Sequence, residues 1–303
     1  MDRTQSTSID EDKCIGCGKC VPVCPADAIS MKNGKAVVTG NESLACGHCE
    51  AVCPVGAVRV GRIDPTTANF ETFTAAVNWI APGDADTAEL VQLMRSRRSC
   101  RNYQTRPVNR SVLEDLVKIG ITAPSGSNCQ RWTFTLLPDR TSMIDFGNAI
   151  AGFFHRLNRL SEKAMVRNLL KWIGKGELDW YFRNYHDSVR DALQEREATG
   201  RDRLFHGATA GIVVGSKTGA SCPAEDALLA TQNILLAAHT MGLGSCLVGF
   251  AVSAMKQDRK IQTRIGIPAE ESVCSVIALG YPNETYQRCT GRLPVTIRTT
   301  TLS

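Results

Sequence analysis

The stretch Cys14-Ile15-Gly16-Cys17-Gly18-Lys19-Cys20-Val21-Pro22-Val23-Cys24-Pro25 holds four cysteines with gaps of two, two and three residues, the last followed by proline. A second run, Cys46-Gly47-His48-Cys49-Glu50-Ala51-Val52-Cys53-Pro54, repeats it at a constant offset of 29. The flanks repeat too, as Val23-Cys24-Pro25-Ala26-Asp27-Ala28-Ile29 against Val52-Cys53-Pro54-Val55-Gly56-Ala57-Val58. In such a ladder three thiolates wrap one iron–sulfur cube and the fourth crosses to its neighbour. Cys14, Cys17, Cys20 and Cys53 then ligate a first [4Fe-4S] cluster, and Cys24, Cys46 and Cys49 a second. The offset carries Cys14 onto Ser43, so the second cluster's fourth slot holds a hydroxyl. Three outcomes are open there: ligation by the serine oxygen, a substitute ligand such as Cys100 brought in by a register slip, or a [3Fe-4S] cluster. A hydroxyl is far less acidic than a thiol, which favours loss or lability of one iron. A zinc ribbon wants two pairs of ligands rather than a run of four and a run of three. A disulfide framework needs an oxidising compartment, which nothing else in the chain indicates.

The chain has 303 residues, enough for one large domain and a small one. It is 43% hydrophobic and 21% charged, the composition of an ordinary globular protein. A formal charge of +5 suits anionic cofactors or an acidic redox partner, and without a basic helix interleaved with aromatics it does not point to nucleic acid. The polar start, with Asp2, Asp10, Glu11 and Asp12, does not read as a signal peptide. No apolar run reaches the length of a membrane span. Seven iron-binding thiolates add to an expectation of a reducing cytoplasm. The other six cysteines (Cys100, Cys129, Cys222, Cys246, Cys274, Cys289) lack ligand spacing and are expected as small buried apolar side chains.

After the clusters, Asp64-Pro65 and Ala81-Pro82-Gly83-Asp84 are turn chemistry around a short helical piece expected over Phe70–Ile80. Asp86 is a predicted N-cap for an amphipathic helix that ends in Arg95-Ser96-Arg97-Arg98-Ser99-Cys100-Arg101, four arginines in seven residues. Such a run reads either as a solvated basic face or as an anion site, because guanidinium forks and a hydroxyl together grip phosphate. Ser111 is the predicted cap of a second helix through Ile121. It stops at the polar turn Ala123-Pro124-Ser125-Gly126-Ser127-Asn128, and Trp132–Leu137 then alternates as a strand. Residues 145–205 are helical in pattern and rich in aromatics, which are more often core than ligand platform. Ala210–Gly215 reads as a buried strand, Ala224–Met241 as a central or interface helix, and Val273–Leu279 as the last strand.

Residues 9–62 resemble the two-cluster bacterial ferredoxins, matching at seven of eight ligand slots. Four further pieces resemble the flavin-dependent nitroreductases over residues 88–303. They are Arg97-Arg98-Ser99-Cys100-Arg101, the segment Pro124 to Trp132, the segment Leu243 to Phe250, and Gly280-Tyr281-Pro282 with Arg292-Leu293-Pro294. The whole chain looks like the ferredoxin–nitroreductase fusions of anaerobic bacteria. The resemblance implies an α+β architecture: a ferredoxin-type domain over 1–62, a connector over 63–87, and a nitroreductase-like domain over 88–303. The last would have a central, mostly antiparallel sheet flanked by helices and would be dimeric. It further implies that Arg97, Arg98, Ser99 and Arg292 hold the phosphate and ribityl chain of FMN, with Arg101 near the pyrimidine edge. Pro124, Ser125, Gly126 and Asn128 would reach the flavin of the partner subunit, and the backbone at Val248 and Gly249 would lie against the ring. Arg131 stands where the family usually has proline.

The expected function is an FMN oxidoreductase that takes electrons through its clusters from reduced ferredoxin or another low-potential donor. It would pass them in pairs to a small organic acceptor such as a nitroaromatic, quinone or activated alkene. No His/Asp/Ser constellation for acid–base catalysis is visible. The alternatives are an electron-relay flavoprotein serving a protein partner, and an NAD(P)H-driven nitroreductase with accessory clusters. No glycine-rich dinucleotide fingerprint is present, although this family binds nicotinamide over the flavin without one.

Overall fold

The N-terminal part forms around two short antiparallel ribbons. Strand β1 (Thr7–Ile9) pairs with β4 (Val58–Val60), and β2 (Ile29–Lys32) pairs with β3 (Lys35–Val38). The β2–β3 loop is Asn33-Gly34, both at positive φ (51° and 78°), the two-residue turn whose twist matches a hairpin. A single-turn helix α1 (His48–Ala51) precedes β4. So small a unit has little apolar core, and cysteines supply part of it: Cys14, Cys20 and Cys49 are buried with Ile29, Ala36, Val58 and Val60. The structure is a computed structural model and describes residues 2–300.

The helix expected over 70–80 is absent: the connector carries a 3-10 turn at Pro65–Ala68 instead, capped by Asp64, whose side chain accepts from Thr66 N at 2.9 Å. Thr72, Phe73, Thr74, Val77 and Asn78 are weak helix formers. The amides of Glu71 and Thr72 are spent on the buried carboxylate of Asp115, and Phe70 stacks on Phe73 at 4.5 Å.

The C-terminal part is a four-stranded antiparallel sheet in the order β5 (Trp132–Leu137), β6 (Ala210–Lys217), β8 (Glu271–Gly280), β7 (Gly244–Leu247). Helices cover both faces. β6 is buried from Ala210 through Ser216, yet it still obeys the two-residue period of a strand. Ile212 and Val214 face one core with Leu113, Leu116, Ile234 and Ile277. Val213 faces the other with Met143, Phe146, Phe205 and Val276. The first core belongs to α3 (Arg110–Gly120) and α8 (Pro223–Thr240). The second belongs to α4 (Arg140–Ser161), α7 (His186–Thr199), α9 (Gly249–Gln257) and α10 (Arg259–Arg264). Between α4 and α7 lie α5 (Ala164–Trp172) and α6 (Glu177–Asn184), so the aromatic segment is helical as expected.

Helix α2 (Thr87–Ser96) starts where predicted, with the Asp86 carboxylate accepting from Ala88 N and Glu89 N. The cap of α3 is Asn109 rather than Ser111, because the helix begins two residues earlier and Ser111 falls inside its first turn. Of the six scattered cysteines only Cys100 and Cys246 are buried; Cys222 is exposed and the others are intermediate. One face of α8 is buried through Ala227, Ala230, Ile234 and Ala238, while Leu228 and Leu229 on the other are about half exposed. Val77, Trp79 and Ile80 of the connector and Leu293, Val295 and Ile297 of the irregular tail also stand exposed. Among the described residues, no helix is long and apolar enough to cross a membrane.

Candidate functional site

The seven ladder cysteines fall into two groups. Burial pushes the Cys20 thiol up, and nearby Cys14, Cys17 and Cys53 push it the same way. Burial likewise raises Cys49, with Cys24 and Cys46 as its sulfur neighbours. The fold therefore exchanges the last cysteine of each run, as the ligand pattern requires. The sequence repeat is also a repeat of geometry: Ala28 N donates to Cys24 Sγ at 3.3 Å, and 29 residues on Ala57 N donates to Cys53 Sγ at 3.2 Å. Amide donors to sulfur favour the thiolate and tune a cluster's potential. Ser43 is buried and lines one cavity with Cys24, Cys46 and Cys49, in the eighth position. Its Oγ accepts from Ala45 N at 3.1 Å. Among the described residues no three metal-ligating side chains are close enough to share a single ion. Thiolates around a cube stand instead at its separate corners. The residues present fit two clusters.

A second centre forms where α2 runs into the sheet. Ser99 bridges to Ser245 on β7, and Cys100 N donates to Ser245 O at 2.9 Å. This anchors the arginine run along the sheet edge. Burial and the neighbouring Arg292 and Arg98 charges hold Arg97 below the usual guanidinium value. Burial raises Cys246, against the pull of Arg101, Ser99 and Arg97, which places all three around it. Burial and the Arg101 charge lower His206. Among the described residues Arg97, Arg98, Arg101 and Arg292 form no ion pair, and Arg98 donates to Thr290 Oγ1 at 2.6 Å. The Ser245 hydroxyl is buried without a partner. A cavity of about 480 Å³ opens here, lined in part by Ser96, Arg97, Arg98, Ser245 and Arg288. Glu284 also lines the cavity but pairs with none of these arginines, so cations outnumber it there; beside an unpaired buried hydroxyl they suit a phosphate-like anion. The solvated basic face is the poorer description.

The turn at 124–130 is held from α8. The buried Asp226 carboxylate accepts from Gly126 N at 2.9 Å, and Trp132 Nε1 donates to Asp226 O at 3.0 Å. Gly126 is required there, since a Cβ would come within 2.9 Å of Ser221. Pro124 and Ser125 lie at the front of the turn, whose Ser125 Oγ accepts from Gln130 N. Arg131 points away, donating to Thr218 O at 2.6 Å. Val248 N donates to Val276 O at 2.9 Å and is occupied; Gly249 opens α9, so its amide belongs to the unpaired first turn of that helix.

Beyond Gly249 lies a feature that aromatic content alone did not locate. Phe154, Trp180, Tyr181, Tyr185, Gly249 and Phe250 line a cavity of about 760 Å³. The Phe250 ring meets Phe154 and Tyr185 edge-on, at 5.7 and 5.4 Å between centroids. The aromatics of residues 145–205 are thus divided between packing and lining: Tyr181 is buried and donates to Asn158 Oδ1 at 2.6 Å, while Trp180 is mostly exposed.

The Nitroreductase family model matches residues 94–281. The chain belongs to that family. A 4Fe-4S dicluster domain matches residues 7–60, which makes the chain a ferredoxin–nitroreductase fusion. An "NADH dehydrogenase" of Thermus thermophilus is 25% identical over 202 residues, covering 66% of this chain and 88% of the relative. "Ferredoxin-2" of Desulfomicrobium norvegicum is 59% identical over 32 residues, 11% of this chain and 54% of that protein. Among solved structures, a nitroreductase of Bacteroides fragilis with bound FMN is 20% identical with a TM-score of 0.49, covering 70% of this chain and 99% of the other. The nitroreductase domain is α+β with its sheet antiparallel, as expected, and the chain is an oxidoreductase of this family.

Proposed function

We propose that the protein reduces a small organic acceptor at an FMN site, with electrons fed from a low-potential donor through two iron–sulfur clusters in residues 1–62. In this reading the connector spans 63–87 and the nitroreductase domain 88–303. The observation that carries the reading is the set of four arginines, Arg97, Arg98, Arg101 and Arg292, none in an ion pair, near the orphaned Ser245 hydroxyl. Arg97, Arg98, Ser99 and Arg292 would hold the phosphate and ribityl chain. Arg101 and the free Gly249 amide would face the ring. Bound there, FMN accepts electrons singly or in pairs and delivers a pair, matching one-electron donors to a two-electron acceptor. Cations and amide donors stabilise added negative charge on such a group. The aromatic cavity beside Gly249 fits a flat, apolar acceptor such as a nitroaromatic or quinone, stacked rather than hydrogen-bonded.

The site also calls for a second copy of the chain. Pro124, Ser125 and Gly126 would complete the partner subunit's flavin pocket; the Asn128 amide, expected there from the resemblance, is instead spent on the Leu44 and Ala45 carbonyls. The exposed apolar residues of the connector, α8 and the tail supply surface that a monomer seldom leaves bare. The clusters would be held by Cys14, Cys17, Cys20 and Cys53, and by Cys24, Cys46, Cys49 and the Ser43 position. The name of the Thermus relative favours a second reading, in which NADH is the donor and the clusters are accessory. Deleting residues 1–62 separates the two. Under the proposal the truncated protein keeps its flavin and its reduction by dithionite, but loses reduction by reduced ferredoxin. Equal rates for truncated and whole chains with ferredoxin would overturn the cluster route. Rapid flavin reduction by NADH in both would establish the second reading.

A further inference from the structure

The contact between the two domains falls on one loop. Asn128 Nδ2 donates to Leu44 O at 3.0 Å and to Ala45 O at 2.9 Å, so both hydrogens of the amide are spent on consecutive carbonyls of the ferredoxin domain. Ala45 immediately precedes Cys46. Ser127, beside Asn128, closes a cleft with Pro25, Ala26, Ser43 and Leu44, and Pro25 immediately follows Cys24. Two ligand loops of the same cluster site, those of Cys24 and Cys46, therefore face a single turn of the nitroreductase domain. Both sides hold costly backbone to do so: Ser127, Asn128 and Gln130 have φ of 52°, 52° and 48°, and Ala45 has φ of 50°. Left-handed non-glycine residues persist only where their surroundings over-determine them. Here Asp226 and the Ser125 hydroxyl fix the turn from behind. The other site turns outward, with Cys17 and its neighbour Ile15 exposed.

From this geometry we infer that Asn128 is a positioning residue, a clasp that docks the Ser43–Cys46 loop. The Cys24/Cys46/Cys49 site is thereby the outlet of the ferredoxin domain, and the exposed Cys14–Cys20 loop is where an external donor docks. The inference rests on the reading of clusters and flavin given above and adds the orientation between them. Each passage carries one electron from a low-potential one-electron donor, which is oxidised by one electron. Two passages and two protons from solvent accompany each two-electron reduction of the acceptor.

The test uses the full cluster-loaded chain with Asn128→Asp, which keeps the shape but sets a carboxylate against two carbonyls, and Asn128→Gln, which keeps both donors. Amide hydrogen exchange over residues 44–47 is read by mass spectrometry. Losing two neutral hydrogen bonds should speed exchange there by about tenfold or more in the aspartate variant. The glutamine variant should retain most of the protection. Single-turnover electron delivery from reduced ferredoxin, measured per bound flavin, should slow by about tenfold in the aspartate variant alone. Unaltered exchange in Asn128→Asp would overturn the clasp. Faster exchange with unaltered delivery would overturn the outlet. A purified chain without flavin would defeat the functional reading, while the exchange data would still decide the docking.

Discussion

Substituting Asp115 tests how the connector is fixed. Its side chain is fully buried in α3, yet it reaches across to the connector. Both of its oxygens accept from Glu71 N at 3.0 Å, and Oδ2 also accepts from Thr72 N and Thr72 Oγ1 at 2.7 Å. Lys118 lies 3.7 Å away and donates its own hydrogen bond to Asn69 O at 2.6 Å. Asp115→Asn preserves the shape but turns an acceptor into a donor facing other donors. Breaking a buried charged arrangement on one side costs about 3–5 kcal/mol. At 1.4 kcal/mol per decade, that amounts to a loss of protection of roughly two to three and a half decades. Hydrogen exchange at Glu71 and Thr72, with limited proteolysis between residues 61 and 85, reads this locally; global melting would mix two domains. Burial alone would raise the Asp115 pKa, but the Thr72 and Glu71 donors and Lys118 outweigh it and hold the carboxyl below its ordinary 3.8. A depressed folded pKa means the stabilisation is complete above the unfolded value and is lost as pH falls through the folded one. Wild-type protection should therefore hold at pH 5–7 and weaken below about pH 4, whereas the variant's should lack that step. Equal protection in the two proteins at neutral pH would refute the argument.

Two further outcomes are expected. Ser43→Cys should bring the second site to a full [4Fe-4S] complement by iron analysis and remove any three-iron signal from the electron paramagnetic resonance spectrum; a wild-type chain already holding both complete, oxidation-resistant cubes would contradict the weakness assigned to Ser43. Arg292→Ala should lower FMN affinity by about ten- to a hundredfold, one charge-assisted hydrogen bond at about 1.5–3 kcal/mol, with circular dichroism unchanged; full flavin retention would remove Arg292 from the phosphate site.

The iron–sulfur ladder was readable in the sequence because its chemistry is local. Gaps of two and three residues fix which sulfurs can meet, and the repeat fixes their exchange. Strands β5, β6 and β8 were legible for a similar reason, since period and β-branching are local properties. The turn at 124–128 was visible as a turn, but not its contact with residues 44 and 45: a hydrogen bond spanning 83 residues leaves no periodic trace. Helix 70–80 does not form because Asp115, more than forty residues on, claims amides of that segment, a contact that leaves no mark in the local pattern. The aromatic cavity escaped for another reason. Trp180 and Tyr181 are adjacent and both line the cavity, yet one is mostly exposed and the other buried, and composition does not distinguish such neighbours.

Tethering a donor domain raises its effective concentration to the millimolar range, but a tether alone leaves every orientation accessible. This chain adds two attachments of different character. Asp115 binds the connector through charge-assisted bonds to a fully buried acceptor, the stronger class. Asn128 binds the ferredoxin domain itself through neutral bonds at a partly buried site, the weaker class. The strong attachment limits how far the small domain can travel, and the weak one selects the face it presents. A clasp of only a few kcal/mol can open and close on the timescale of domain motion without breaking the bond to Asp115, while the outward Cys14–Cys20 side stays open to a donor throughout. Strengthening the clasp beyond two neutral bonds would hold the outlet against the nitroreductase domain at the expense of that motion. On physical grounds an asparagine amide suits this position better than an arginine would.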